Sequence, residues 1–179
     1  MKKILASILL LLMVLNLAAC SQATPQAEAD KIPSEIFSTL KSAGYVEDGS
    51  FSPVEKQEKN AKWGDYIYRA YGVLSGVYLY TCSNDNGDLL EICAYCDQSV
   101  IDATYSDIDI IYEAFGCMSA AMLNSIDNKN APSVIQELGL DKVDLFLNSQ
   151  NSTCTIDNVR YELVYNISTG RMFLTATKI

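Results

Sequence analysis

Hydrophobic and polar residues change their spacing along the chain, and these changes predict the secondary structure. Apolar positions recur at helical spacing over residues 33–43, where Pro33 suits a first turn and Gly44 suits the position just past a helix end. Helical spacing returns over residues 107–126 and again over residues 132–138. The pattern therefore predicts three helices, each with an apolar stripe for packing.

Elsewhere the apolar residues alternate with polar ones, which favours strands. The predicted strands are residues 65–71, 76–82, 88–96, 159–167 and 171–178. Asn86-Gly87 lies between the second and third of them and is a strong hairpin signal, whereas the charged residues 47–62 indicate a surface loop. The order αβββααββ predicts an α+β fold, an antiparallel sheet of about five strands with helices packed on one face.

The first twenty residues have a different pattern. Lys2 and Lys3 precede an almost wholly apolar run over residues 4–17. The run is shorter than the roughly 20 apolar residues that a permanent spanning helix needs, and it is typical of a cleaved secretory signal. Its end, Leu17-Ala18-Ala19-Cys20, resembles the lipobox of bacterial lipoproteins.

This resemblance implies that residues 1–19 are a lipoprotein signal peptide and that Cys20 becomes the lipid anchor. Cys20 would receive a diacylglyceryl thioether, and its new amino group would be a site for a further acyl chain such as palmitate. Two or more chains give stable attachment to membrane lipid, on the extracytoplasmic face of the cell membrane. The small polar residues 20–31 are then a flexible tether, and residues 32–179 form a single α+β domain.

The charge of the chain limits the classes of partner. The net charge is −9, and removal of a leader that carries two lysines and no acid takes it to −11. Nucleic acid is therefore excluded as an expected partner, because two negative surfaces repel. The chain has no histidine, which removes the usual general base and the commonest metal ligand. We predict no cofactor, no metal site and no enzymatic activity.

Five cysteines remain after Cys20, and two of them form the CxxC sequence Cys93-Ala-Tyr-Cys96. A thiol-disulfide oxidoreductase using Cys93 and Cys96 is thus an alternative function. Its first thiol would need a helix N-terminus, whereas both cysteines fall in a predicted strand and point to opposite faces. Cys82 and Cys93 flank the Asn-Gly turn on one face, which favours a disulfide between them. Alternatively, all five are reduced and behave as small hydrophobic residues.

The other bias in the amino-acid composition is tyrosine, which occurs eleven times in the chain. Four of them, Tyr66, Tyr68, Tyr78 and Tyr80, share one sheet face if their strands pair in register. Tyrosine supplies a large contact area at low entropic cost, so this face would suit an extracytoplasmic protein, peptide or glycan. Tyrosine also favours strands for packing reasons alone. The sequence predicts a membrane-anchored lipoprotein of the binding type, with a structural component of the cell envelope as another alternative.

Overall fold

The computed structural model of the chain describes residues 27–46, 53–97, 105–141 and 149–179. The described helices are α1 (Glu28–Ser42), α2 (Tyr105–Asp127) and α3 (Ala131–Leu138). The described strands are β1 (Val54–Asn60), β2 (Gly64–Leu74), β3 (Val77–Ser83), β4 (Leu89–Asp97), β5 (Gln150–Ile156), β6 (Val159–Asn166) and β7 (Arg171–Lys178). The predicted signal peptide, Cys20 and most of the predicted tether lie outside the described residues.

The strands form one seven-stranded sheet in the order β1-β2-β3-β4-β7-β6-β5, and all six neighbouring pairs are antiparallel. The prediction of about five strands in the order αβββααββ is therefore wrong. The two additional strands are the edges of the sheet, β1 and β5. The element order is αββββααβββ, and β7 joins the two halves by pairing with β4.

Strand β1 lies in the segment that was predicted to be a surface loop. Its sequence is VEKQEKN, and its side chains are exposed apart from that of Asn60. Cross-strand polar contacts hold it to β2, including Arg69 Nε to Glu55 Oε2 at 2.7 Å and the Tyr66 hydroxyl to Glu58 Oε2 at 2.8 Å. Strand β1 has no alternation of apolar and polar residues, because it lies at the edge of the sheet and covers no core. It is stabilised by its pairing with β2.

The helices pack against one face of the sheet. Buried residues of that face, such as Leu79, Ala94 and Leu174, share a single core cluster with Ile36 and Met118 from the helices. Helix α1 contacts β3, α2 contacts β3 and β4, and α3 contacts β5 and β6. No helix among the described residues is both long and apolar enough to cross a membrane.

Helix α1 begins at Glu28, five residues before the predicted start at Pro33. Ala29 and Ile32 are buried, at 1% and 7% exposure, so packing extends the helix upstream of the proline. Residues 28–31, predicted to belong to the tether, are therefore helical. The first turn docks onto the β3–β4 turn, where the Ala29 N–H donates to the Gly87 carbonyl at 3.0 Å.

Candidate binding face

The face of the sheet opposite the helices, which we call the open face, carries alternate residues of every strand. Pairing arranges most of them in three rows across the sheet. The first row is Tyr68, Cys82, Glu91, Thr177, Arg160 and Thr155; the second is Ala70, Tyr80, Cys93, Thr175, Glu162 and Thr153; the third is Gly72, Tyr78, Tyr95, Phe173, Val164 and Asn151. The register thus places all four predicted tyrosines on one face, since Tyr66 alternates with Tyr68 along β2.

Four tyrosine rings of the open face, Tyr68, Tyr78, Tyr80 and Tyr95, form what we call the tyrosine cluster. Tyr80 stacks against Tyr68 with centroids 5.7 Å apart and against Tyr78 at 6.1 Å, with interplanar angles of 21° and 18°. Tyr95 is tilted against Tyr80 at 5.8 Å and against Tyr78 at 6.3 Å. These distances fall in the range in which aromatic pairs attract beyond simple area burial.

Small neighbouring side chains explain how four rings fit together on the open face. Tyr80 lies between Ala70 and Cys93 in its row, and Tyr68 lies beside Cys82. Cys82 is only 8% exposed although no described helix covers this face, and the cluster tyrosines are themselves half-buried. The rings therefore shield one another partly from water, and the cluster forms a half-buried aromatic patch on the open face.

Tyr66 is on the open face but has different contacts. Its ring packs edge-on against Trp63 at 5.6 Å, and its hydroxyl donates to Glu58. The fourth ring of the cluster is Tyr95 instead, and the sequence analysis did not predict this residue. The signal was available, because Tyr95 alternates with Cys93 along β4 and so shares its face; only the strand pairing shows that it meets Tyr78.

Polar groups border the cluster on the β4–β7 side. The Tyr95 hydroxyl donates to Asp97 Oδ2 at 2.8 Å, and Arg171 Nε donates to the same oxygen at 3.1 Å. Burial raises the pKa of Tyr95 to about 12, and the hydrogen bond to Asp97 adds to the rise. Further along, the Thr177 hydroxyl donates to Glu91 Oε2 at 2.8 Å. This border therefore contains mostly satisfied polar groups.

The other three hydroxyls of the cluster differ from that of Tyr95. Within the described part of the chain, the hydroxyls of Tyr68, Tyr78 and Tyr80 have no hydrogen-bond partner. Burial raises the pKa of Tyr68 to about 12, with a further rise from Tyr80, and burial also raises the pKa of Tyr80. A phenol is already protonated at neutral pH at its ordinary pKa of about 10, and the rise extends this protonated state to higher pH. The cluster combines apolar rings with hydroxyl groups that can donate and accept hydrogen bonds.

The CxxC cysteines lie on opposite faces of β4. Cys93 lies on the open face, whereas Cys96 is fully buried in the core between the sheet and the helices. Burial raises the pKa of Cys93 to about 11 and that of Cys96 to about 12. A reactive dithiol needs two adjacent sulfurs and a lowered pKa. This geometry lacks both, so nothing on β4 favours the oxidoreductase alternative.

All five cysteines among the described residues are free thiols. Cys82 is paired with Glu91 and Cys93 with Tyr80, so the two cysteines are diagonal neighbours on the open face. Diagonal neighbours lie about 7–8 Å apart, beyond the Cα separation of about 4.4–6.8 Å that a disulfide spans. The register is thus unfavourable for the predicted bridge. The part of the chain with described coordinates also contains no group of three His, Cys, Asp or Glu residues able to hold a metal ion.

Comparisons of the chain with protein-family models, with curated proteins and with solved structures gave no match.

Proposed function

We propose that this protein is a lipid-anchored, extracytoplasmic binding protein that holds its partner on the open face. The observation that carries the binding role is the tyrosine cluster on a sheet face that no described helix covers. Tyrosine is enriched at the energetic centres of protein interfaces, where a rigid ring is buried and a hydroxyl finds a partner. Tyr68, Tyr78 and Tyr80 present half-buried rings, and their hydroxyls are available to a partner's donors and acceptors.

The anchoring role rests on different residues. Its support is the leader, with Lys2 and Lys3, a short apolar run and the Leu17-Ala18-Ala19-Cys20 sequence. Acylation of Cys20 is checked by intact mass of the membrane-extracted protein, which should begin at Cys20 and carry the added acyl mass. A Cys20→Ala variant should lose that mass and leave the membrane fraction. Anchoring and binding are thus tested separately.

The binding role is tested by quantitative capture of cross-linked partners from intact cells that produce the lipidated protein. A Tyr68→Ala/Tyr80→Ala variant should lose partner signal, because truncating a tyrosine that acts as a hot spot costs at least about 2 kcal/mol, or roughly 30-fold in affinity. The matched control is Thr153→Ala/Thr155→Ala, whose exposed residues lie on the open face at β5, away from the cluster. Thermal unfolding of all three proteins separates loss of contact from loss of fold.

The same experiment distinguishes binding from a purely structural role of the cluster. Tyr68→Phe/Tyr80→Phe keeps both rings and removes the hydroxyls, so it should fold normally and reduce capture through the lost hydrogen bonds alone. Identical partners in identical amounts from wild type and the folded alanine variant would contradict the proposal. That result would favour the structural envelope component instead.

A further inference from the structure

The chain between the expected anchor and the domain is short. Only six residues separate Cys20 from Ala27, the first described residue. Even fully extended, this chain spans at most about 25 Å. Acylation of Cys20, on which this inference rests, would therefore keep Ala27 within about 25 Å of the lipid surface.

Ala27 is fixed at one end of the sheet, because the first turn of α1 is tied to it by several contacts. The Ala29 N–H donates to the Gly87 carbonyl at 3.0 Å. Glu28 Oε2 accepts from the Leu89 N–H at 3.3 Å and from Lys178 Nζ at 2.6 Å. We call this end of the sheet the anchored end. It also holds the β1–β2 turn (residues 61–63) and the β5–β6 turn (residues 157–158).

The β1–β2 hairpin projects beyond the rest of the anchored end. Ile67 of β2 pairs with Ser83, the last residue of β3, but pairing with β1 continues for three more residues to Gly64 and Asn60. Three residues of strand add about 10 Å. Neighbouring hairpins of one sheet are also only about 10 Å apart sideways. The tip of this hairpin is therefore close to the anchor and extends away from the core.

The residues at that tip have the chemistry of a membrane interface. Trp63, the only tryptophan in the chain, is partly exposed and packs edge-on against Tyr66. Lys62 Nζ lies 5.0 Å from the centre of its ring. Tryptophan and tyrosine are enriched at the level of lipid headgroups, and a lysine beside them can contact lipid phosphates.

We propose that the anchored end of the sheet faces the membrane and that Trp63 inserts into its phospholipid headgroup region. Acidic residues at the same end, including Asp85 and Asp157, oppose attraction to anionic lipids, whereas Asp65 is paired with Lys59. The contact therefore rests mainly on the aromatic side chains, with Lys62 beside a lipid phosphate, and it forms on zwitterionic phosphatidylcholine. The strands then point away from the membrane surface, and the open face is directed sideways, where a partner can reach it.

The fluorescence of Trp63 reports its own environment, because it is the only tryptophan in the chain. The lipidated full-length protein is reconstituted into phosphatidylcholine vesicles with or without bromine near the headgroup end of the acyl chains, and emission is excited at a wavelength that spares tyrosine. Bromine should lower Trp63 emission relative to the vesicles without bromine. The matched control is Trp63→Phe/Ile167→Trp, which moves the reporter to the β6–β7 turn at the opposite end, where Ile167 is 52% exposed. Its emission should be unchanged.

Vesicle flotation and intact mass are measured on the same samples, so that anchoring and orientation are separated. Flotation with quenching at position 63 alone supports the inference. If the protein floats but quenching occurs at position 167 alone, at both positions or at neither, the proposed orientation is wrong. Lipid anchoring is still supported in each of these cases. A protein without the acyl mass that fails to float overturns both the anchor and the inference that depends on it.

Discussion

At the scale of single residues, Gly87 is where helix α1 meets the sheet. Its φ of +80° suits glycine, and a Cβ added there would lie 2.6 Å from the Cβ of Ala27. We predict that Gly87→Ala lowers the free energy of unfolding by about 2–4 kcal/mol, from left-handed strain and from overpacking. Urea unfolding of soluble residues 21–179 measures the change.

Gly64 provides the control for that substitution. Its φ is +72°, yet nothing lies within 4 Å of an added Cβ. Gly64→Ala should therefore cost only the backbone strain, about 1–2 kcal/mol. The difference between the two variants isolates the contact with Ala27. Equal losses would mean that the start of α1 does not pack on the β3–β4 turn.

At the scale of elements, hydrophobic periodicity located the elements that cover or line the core. The second helix was predicted over residues 107–126 and is found at Tyr105–Asp127, and the strand predicted over residues 76–82 is found at Val77–Ser83. Strands β1 and β5 were missed because each has a neighbour on one side only and few buried side chains. Such edges depend on tertiary pairing, which local sequence does not contain.

Arg69 is the side chain that ties edge strand β1 to the rest of the sheet. It is only 16% exposed, and it bonds Glu55 of β1 at 2.7 Å and Ser83 of β3 at 3.2 Å. We predict that Arg69→Met speeds hydrogen exchange of the β1 amides, since charge-assisted hydrogen bonds contribute about 1.5–3 kcal/mol. Amides of β4 should exchange as in wild type. Hydrogen exchange followed by mass spectrometry of peptides resolves the two strands.

An exposed ion pair of the same hairpin gives the matched control. Lys59 lies 3.4 Å from Asp65, and both side chains are more than 70% exposed. Solvent screens such pairs, so Lys59→Met should leave exchange in β1 nearly unchanged. If both variants loosen β1 equally, the bridging role of Arg69 is wrong and general charge balance holds the edge.

At the scale of the whole molecule, the open face could be predicted only in part. Alternation within β2 and β3 was enough to group Tyr68, Tyr78 and Tyr80. Tyr95 meets Tyr78 through the β3–β4 pairing, whereas Phe173 comes to lie beside Tyr95 only because β7 pairs with β4 across more than 70 residues of chain. No local pattern encodes that pairing. Sequence reasoning therefore found the residue type of the candidate site but not its extent.

The dependence of stability on pH is also a property of the whole molecule. The chain has no histidine, so no histidine titration changes stability near pH 6.5. Burial raises the pKa of Cys82 and Tyr161 to about 12, and it raises that of Tyr68 equally. The unfolded chain releases these protons near pH 9–10, whereas the folded chain keeps them. Stability is therefore fully present below about pH 9 and is lost as pH rises toward 12.

We predict that the free energy of unfolding is nearly constant from pH 6.5 to 8.5 and falls by about 2 kcal/mol between pH 9 and 11, less than the full 1.4 kcal/mol for each unit of pKa difference because solvent screens the partly exposed groups. Urea unfolding at intervals of half a pH unit, under reducing conditions, measures the fall. Tyr161→Phe removes one of these protons and should make the decline shallower. A flat profile to pH 11 would mean that the buried phenols and thiols ionise in the folded protein as they do in the unfolded chain, which would contradict the packing described for both faces of the sheet.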